Sequence, residues 1–273
     1  MSNATARYAI IGHPVAQSRS PEIHAEFARL TGRSIQYTRI DAGPQGFTAA
    51  LREFLASGGL GVNVTLPFKE EAFAVCHVHT PRAKQTRTIN TLSVRDDGKL
   101  MGDNTDGIGL VNDLKTNHQV VLKNTRILLL GAGGAARGVL TALLAEKPAL
   151  VHIANRTPAR AIKLASQHTA ARLSGSGFES LRQQSFDIVI NATAASLSGE
   201  LPRLPHDCLN PGAVCYDLAY SGRPTVFMHW AVQEGAAVVL DGWGMLVEQA
   251  AESFYVWHGV RPPTATLLAI HLP

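Results

Sequence analysis

Between Gly61 and Leu66 the chain alternates apolar and polar residues, as a strand with one buried face does. Pro67 then suits the first turn of a helix, where a missing N–H costs nothing, so a helix is predicted from Pro67 to about Cys76. Ahead of this junction, Arg7–Ile11 and Ile35–Asp41 read as strands, and Pro21–Leu30 and Phe47–Ala56 as helices. Beyond it, Asn90–Asp103 reads as a hairpin turning at Asp97-Gly98. Strands spaced by helical segments imply βα units on a mostly parallel sheet.

A second series follows Gly107. Ile108–Lys115 is a short amphipathic connector helix, and Arg126–Leu130 is a continuous apolar run, as in a strand buried on both faces. Similar runs recur at Leu150–Ala154, Phe186–Asn191, Ala213–Asp217 and Ala236–Leu240, which predicts a doubly wound α/β domain. The segment from Gly242 onward reads as helical and is expected to return to the first domain. The expected organisation is therefore a discontinuous N-terminal α/β domain, residues 1–106 plus 242–273, and a doubly wound domain, residues 107–241.

Composition narrows the function. The 273 residues are 45% hydrophobic and 17% charged, enough for two packed cores and against disorder. The net charge of +4 comes from scattered Lys and Arg without interleaved aromatics, which favours small anionic ligands over nucleic acid. No apolar run approaches membrane-spanning length, and no basic-then-apolar leader opens the chain. The three cysteines, Cys76, Cys208 and Cys215, form no CxxC pattern, which fits a reducing cytoplasm. The eleven histidines make no metal-ligand spacing; His77 and His79 are expected to be solvated, and no metal is assigned.

Candidate chemistry begins with Lys69. A cation near a helix N-terminus faces the positive end of the helix dipole, a poor place for a purely structural lysine and a reasonable one for a proton donor. Asp106 lies in Gly102-Asp-Asn-Thr-Asp-Gly107. A solvated turn is one reading and partnership with Lys69 another; a calcium loop fails, because Gly102 and Asp113 would fill its first and twelfth positions. Gly131-Ala-Gly-Gly-Ala-Ala136 follows an apolar strand and opens a helix, the form of a dinucleotide fingerprint whose backbone N–H groups cradle a pyrophosphate. The next strand ends in Asn155, Arg156 and Thr157, with Arg160 one turn on, where NAD-binding chains usually place an acid. Guanidinium groups there suit the 2′-phosphate of NADP.

Other positions are read in pairs. Ser18 and Ser20 alternate ahead of a helix, and either cap it or hold a small anion; Ser20 before Pro21 suits a cap. Asn63 and Thr65 share a strand face, and Met245 and Gln249 a helix face.

Together these segments resemble shikimate dehydrogenase, the NADP-dependent family of aromatic amino-acid biosynthesis. The resemblance covers nearly the whole chain: G-H-P-V-A-Q-S-R-S-P from Gly12, G-V-N-V-T-L-P-F-K from Gly61, I-N-T-L from Ile89, G-D-N-T-D-G from Gly102, G-A-G-G-A-A-R-G from Gly131, N-R-T from Asn155, D-L-A-Y ending at Tyr220 and D-G-W-G-M-L-V-E-Q from Asp241. It implies reversible reduction of 3-dehydroshikimate to shikimate by NADPH, on a substrate domain joined to a Rossmann-type NADP domain. By matching position, Lys69 would be the general acid/base with Asp106 as partner. Ser18, Ser20, Asn63, Thr65, Asn90, Tyr220 and Gln249 would bind substrate. Gly131, Ala132, Gly133, Gly134 and Ala135 would hold the pyrophosphate, and Asn155, Arg156, Thr157 and Arg160 the 2′-phosphate. Thr193, Leu218, Gly242 and Met245 would complete the cofactor side.

Gln17, Arg87-Thr88, Ala194-Ala195 and Leu218 depart from the family's frequent residues, and none removes a reacting group. Two rivals are an NAD-dependent quinate/shikimate dehydrogenase, which would carry an acid near Asn155, and a non-catalytic nucleotide-sensing module, which would lack Lys69 or Asp106. The resemblance leaves monomer and homodimer both open.

Overall fold

In the computed structural model, residues 5–168, 172–195 and 199–270 are described. The chain divides into two compact units, Met1–Gly109 with Leu246–Ala269, and Leu110–Met245 with Ile270–Pro273. The outermost positions of the expected domains, 1–4 and 271–273, lie outside the described residues.

The first unit is built on β1 (Ala6–Gly12), β2 (Ile35–Asp41), β3 (Gly59–Val64), β4 (Val78–His79), β5 (Thr91–Val94) and β6 (Leu100–Asp103), in sheet order β2-β1-β3-β5-β6-β4. β1 pairs in parallel with β2 and β3, but β5 pairs antiparallel with both β3 and β6. The sheet is therefore mixed: the Asp97-Gly98 hairpin folds β6 back on β5, with Gly98 at φ 74°. Helices α1 (Ser20–Thr31), α2 (Phe47–Ala56), α3 (Lys69–Val75) and α4 (Pro81–Thr86) connect the strands.

Alternation decides the packing. Ala9, Ile11, Val62 and Val64 join Phe47, Leu51 and Phe54 of α2 in one fully buried cluster. Each Val, Leu, Ile or Phe side chain in it contributes roughly 1.5–3 kcal/mol by leaving water. A separate aromatic cluster gathers His24 and Phe27 of α1, Tyr37 of β2, and Phe254 and Trp257; the His24 and Tyr37 rings stack at 4.4 Å.

The second unit carries β7 (Arg126–Leu130), β8 (Leu150–Ala154), β9 (Leu173–Ser176), β10 (Phe186–Asn191), β11 (Leu209–Asp217) and β12 (Val238–Leu240), all parallel, ordered β12-β11-β10-β7-β8-β9. This is the doubly wound arrangement read from the apolar runs. Ile127 and Leu129 enter one core and Leu128 and Leu130 another, which is why β7 reads as unbroken apolar sequence. Helices α5 (Asp106–Asn112), α6 (Gly134–Ala145), α7 (Pro158–Ser166), α8 (Val226–Gln233), α9 (Trp243–His258) and α10 (Ala265–Ala269) complete the element order. The predicted helix at Ile108–Lys115 starts at Asp106 and changes to a π-turn over Asp113–Asn117.

Some elements differ from the sequence reading. β9 was not predicted. Pro67 lies outside the helix: a turn closed by the Phe68 N–H on the Thr65 carbonyl precedes α3, and Lys69 is the helix's first residue. His77 is exposed as expected, its ring accepting the Leu100 N–H, whereas His79 is half-buried and stacks on Phe73. The three cysteines are buried and free, and burial pushes their thiols up, Cys76 and Cys215 to about 12 and Cys208 to about 11. No helix among the described residues is long and apolar enough to cross a membrane.

Candidate active site

In the first unit the end of β3, the start of α3, the loop between β6 and α5, and α9 bring together one hydrogen-bonded cluster. Lys69 Nζ donates to Asp106 Oδ2 at 2.6 Å, with side-chain exposures of 14% and 6%. The other carboxylate oxygen, Oδ1, accepts from Asn90 Nδ2 at 2.8 Å, so both oxygens of Asp106 are engaged. Asn90 Nδ2 also reaches Thr105 Oγ1 at 2.8 Å and Gln249 Oε1 at 3.1 Å. The Asn90 carbonyl oxygen Oδ1 accepts the Thr105 N–H at 2.8 Å, and Asn104 Oδ1 accepts the Asp106 N–H at 3.1 Å. The ammonium is thus aimed by a carboxylate that is itself oriented from two sides.

Asn63 is more deeply committed than its strand position suggested. Its Nδ2 lies within hydrogen-bond distance of the Asn90 carbonyl, Thr91 Oγ1 and Ser253 Oγ, while its Oδ1 accepts from Tyr37 at 2.7 Å. Its polar atoms are spent on aligning β3 with β5 and α9. Thr65, half-buried, donates its backbone N–H to Ile11. Ser18 and Ser20 are buried, with their hydroxyls 3.2 Å apart. Ser20 makes no capping bond, so α1 opens without the cap expected of it. The Arg39 guanidinium grips the Ser18 carbonyl and Glu22, fixing this loop against β2.

In the second unit β7 runs into a turn in which Gly131 adopts φ 103°, a conformation that L side chains rarely take. α6 begins at Gly134 with Gly133 as its N-cap and no side chain satisfying its first N–H groups. A Cβ added at Gly133 would meet nothing within 4 Å. Bare N–H groups beside open space fit a dinucleotide pyrophosphate. At the end of β8, Asn155 Nδ2 donates to the Thr157 carbonyl, and Arg156, Thr157 and Arg160 are exposed.

Thr193 donates its hydroxyl to Asn191 Oδ1 at 2.7 Å, and the Leu218 N–H donates to the Asn191 carbonyl. A Cβ at Gly242 would lie 2.2 Å from the Leu218 carbonyl oxygen, so only glycine fits where these two segments cross. The Met245 N–H donates to the Tyr216 hydroxyl. Tyr220, half-buried, has its ring against that of Trp243. Of the substrate candidates, Tyr220 alone belongs to this unit; the others belong to the first.

Asn104, Thr105 and Ser253 join the cluster without having been singled out. The first two lie inside the Gly102–Gly107 motif that pointed to Asp106, whereas nothing local marks Ser253. No group of three or more metal-ligating side chains occurs among the described residues.

A doubly wound unit with a glycine turn, and a second α/β unit carrying a lysine–aspartate pair, define an oxidoreductase of the nucleotide-dependent dehydrogenase class. Residues 10–92 match the family described as shikimate dehydrogenase substrate binding domain, residues 113–198 shikimate / quinate 5-dehydrogenase, and residues 242–269 shikimate 5'-dehydrogenase C-terminal domain. The chain belongs to the shikimate dehydrogenase family. It is 53% identical to the shikimate dehydrogenase (NADP(+)) of Alkalilimnicola ehrlichii, over 98% of this chain and 99% of that one. With the corresponding protein of Methylococcus capsulatus it shares 51% identity, over 96% and 94% of the two chains. Among solved structures, an Ael1 enzyme from Pseudomonas putida has a TM-score of 0.91 at 43% identity, covering 98% of this chain and 99% of that one. A Thermus thermophilus shikimate 5-dehydrogenase in complex with NADP(H) and shikimate has a TM-score of 0.86 at 32% identity, each chain covered to 98%.

Proposed function

We propose that this chain catalyses the reversible, NADPH-dependent reduction of 3-dehydroshikimate to shikimate in aromatic amino-acid biosynthesis, with residues 1–106 and 242–273 serving the substrate and 107–241 the cofactor. The observation that carries this reading is the 2.6 Å contact of Lys69 Nζ with Asp106 Oδ2. When bound, the nicotinamide supplies the hydride that reaches the ketone carbon. Lys69 holds the proton that the developing alkoxide takes up, and in the oxidative direction it receives that proton back. Asp106 keeps the ammonium in place, and Asn90 keeps Asp106 in place. Such proton transfer is worth about 10²–10⁴-fold in rate.

Ser18 and Ser20 offer hydroxyls to the substrate carboxylate, and the Thr65 and Tyr220 hydroxyls and the Asn90 and Gln249 carboxamides serve the ring substituents. The glycine turn from Gly131 to Ala135 receives the pyrophosphate. Arg156 and Arg160, at a strand end without a carboxylate, suit the extra phosphate of NADP. That strand end argues against the NAD-dependent quinate reading, and the formed Lys69–Asp106 pair argues against an idle nucleotide sensor. The free, buried cysteines fit a cytoplasmic enzyme.

Reduced-nicotinamide absorbance decides the matter. Shikimate with NADP should give robust turnover, and quinate or NAD far less. Preference for quinate with NAD, or no turnover at all, would overturn the assignment.

A further inference from the structure

Five charged side chains in the first unit form an ion network outside the Lys69–Asp106 cluster. At its centre is Arg82 of α4. Its Nε reaches Asp103 Oδ1 at 3.1 Å, its Nη2 lies against Asp103 Oδ2, and its Nη1 donates to Glu252 Oε1 at 2.7 Å. Arg261 continues the chain to Glu252 Oε2 at 2.8 Å and to Glu248 Oε2 at 2.6 Å. Asp103, Glu248 and Glu252 are 2%, 5% and 8% exposed. Charges this deep are costly to bury, and well-packed apolar residues would serve stability as well or better. Stability alone is therefore a weak reason for the network.

Two of its carboxylates lead to the site. Asp103 Oδ1 accepts the Asn104 N–H at 2.7 Å and the Thr80 hydroxyl at 2.6 Å. Asn104 then anchors to Thr88 through Nδ2 and receives the Asp106 N–H on Oδ1. Glu252 lies one helical turn beyond Gln249 on α9, and Gln249 accepts from Asn90, which also holds Asp106. A planar guanidinium binding a carboxylate through two nitrogens sets direction as well as distance, which an ammonium does not.

We propose that Arg82 is a positioning residue for this reaction, its guanidinium locking the loop that carries Asp106 to the helix that carries Gln249. The proposal rests on the functional reading above. Asp103 and Glu252 are its two anchors, and Arg261 with Glu248 braces the helix from the other side.

The test compares wild type, Arg82→Lys, Arg82→Met and the triple variant Arg82→Met/Asp103→Asn/Glu252→Gln, which removes the cation without leaving a buried anion unpaired beside it. Each is assayed for shikimate oxidation with NADP across pH, after its fold is checked by near-ultraviolet circular dichroism. A loosened site costs roughly 10- to 100-fold in kcat. Arg82→Met and the triple variant should show that loss, a several-fold rise in KM for shikimate, an unchanged KM for NADP and a displaced pH profile of kcat. Arg82→Lys should recover part of the kcat.

A folded triple variant with wild-type kcat, shikimate KM and pH profile overturns the proposal. So does an equal loss of NADP affinity, or a triple variant that does not fold, since either makes the network merely structural. Wild-type protein inactive on shikimate removes the functional reading itself, and the positioning role with it.

Discussion

The Tyr216 hydroxyl donates to Asp113 Oδ2 at 2.6 Å while accepting the Met245 N–H at 3.1 Å. One oxygen atom therefore joins the π-turn after α5, the end of β11 and the start of α9. Burial, and then the adjacent Asp113 carboxylate, hold the Tyr216 phenol well above its ordinary range, so it remains a donor at any working pH. Tyr216→Phe keeps the ring but strands Asp113 Oδ2 and the Met245 N–H, leaving Asp113 Oδ1 with Asn117. It should destabilise the protein by about 1–3 kcal/mol, read by urea denaturation. A midpoint equal to wild type would mean that water replaces the hydroxyl.

Lys69→Met retains the aliphatic stem and removes the ammonium from Asp106. The expected loss in kcat for shikimate oxidation is about 10²–10⁴-fold. NADP affinity, measured by fluorescence titration, should hold. Wild-type turnover in this variant would remove Lys69 from the proton transfer.

His24 gives the fold a pH dependence. It is fully buried, neither ring nitrogen makes a hydrogen bond of ordinary geometry, and Asn63 and His258 are its polar neighbours. Burial first, then His258, bring it from 6.5 down to about 3. A base with a depressed folded value binds fewer protons folded than unfolded, so stability rises with pH. The contribution is complete above about 6.5 and is lost as pH falls from there toward about 3, a total on the order of several kcal/mol. Burial also lowers His258, so the variant that isolates the effect is His24→Phe. Its denaturation midpoint should vary less between pH 7 and pH 4.5 than that of wild type, and an unchanged slope would assign the dependence elsewhere.

Arg156→Glu places a carboxylate at the end of β8, where it would repel a 2′-phosphate and accept a ribose hydroxyl. KM for NADP should rise by roughly 10-fold or more and NAD should gain. Equal effects on the two cofactors would detach Arg156 from the discrimination.

The sequence was most legible where one physical signal dominated. The strands Arg126–Leu130, Leu150–Ala154 and Phe186–Asn191 stand as read, because burial on both faces leaves an unbroken apolar run. β9, Leu173-Ser-Gly-Ser176, is a half-buried edge strand with one aliphatic residue, so no such run marks it. The first sheet is mostly parallel as expected, with three of its five pairings so, but nothing in the sequence marked that β5 of the hairpin joins β3 from the opposite direction. Lys69 and Asp106 were each recognisable, yet spacing left their pairing open, because 37 positions of chain separate them. Arg82 and Glu252 lay beyond reach altogether: they meet across 170 positions, and each alone looks like an ordinary surface charge.

The three buried thiols turn the chain into its own reporter of local opening. At neutral pH a thiol held near 11 or 12 has almost no thiolate, so an alkylating reagent should label none of them while the cores stay shut. Cys76 belongs to one compact unit and Cys208 and Cys215 to the other. Peptide mapping of slow alkylation would therefore reveal which half of the molecule breathes first, with no substitution.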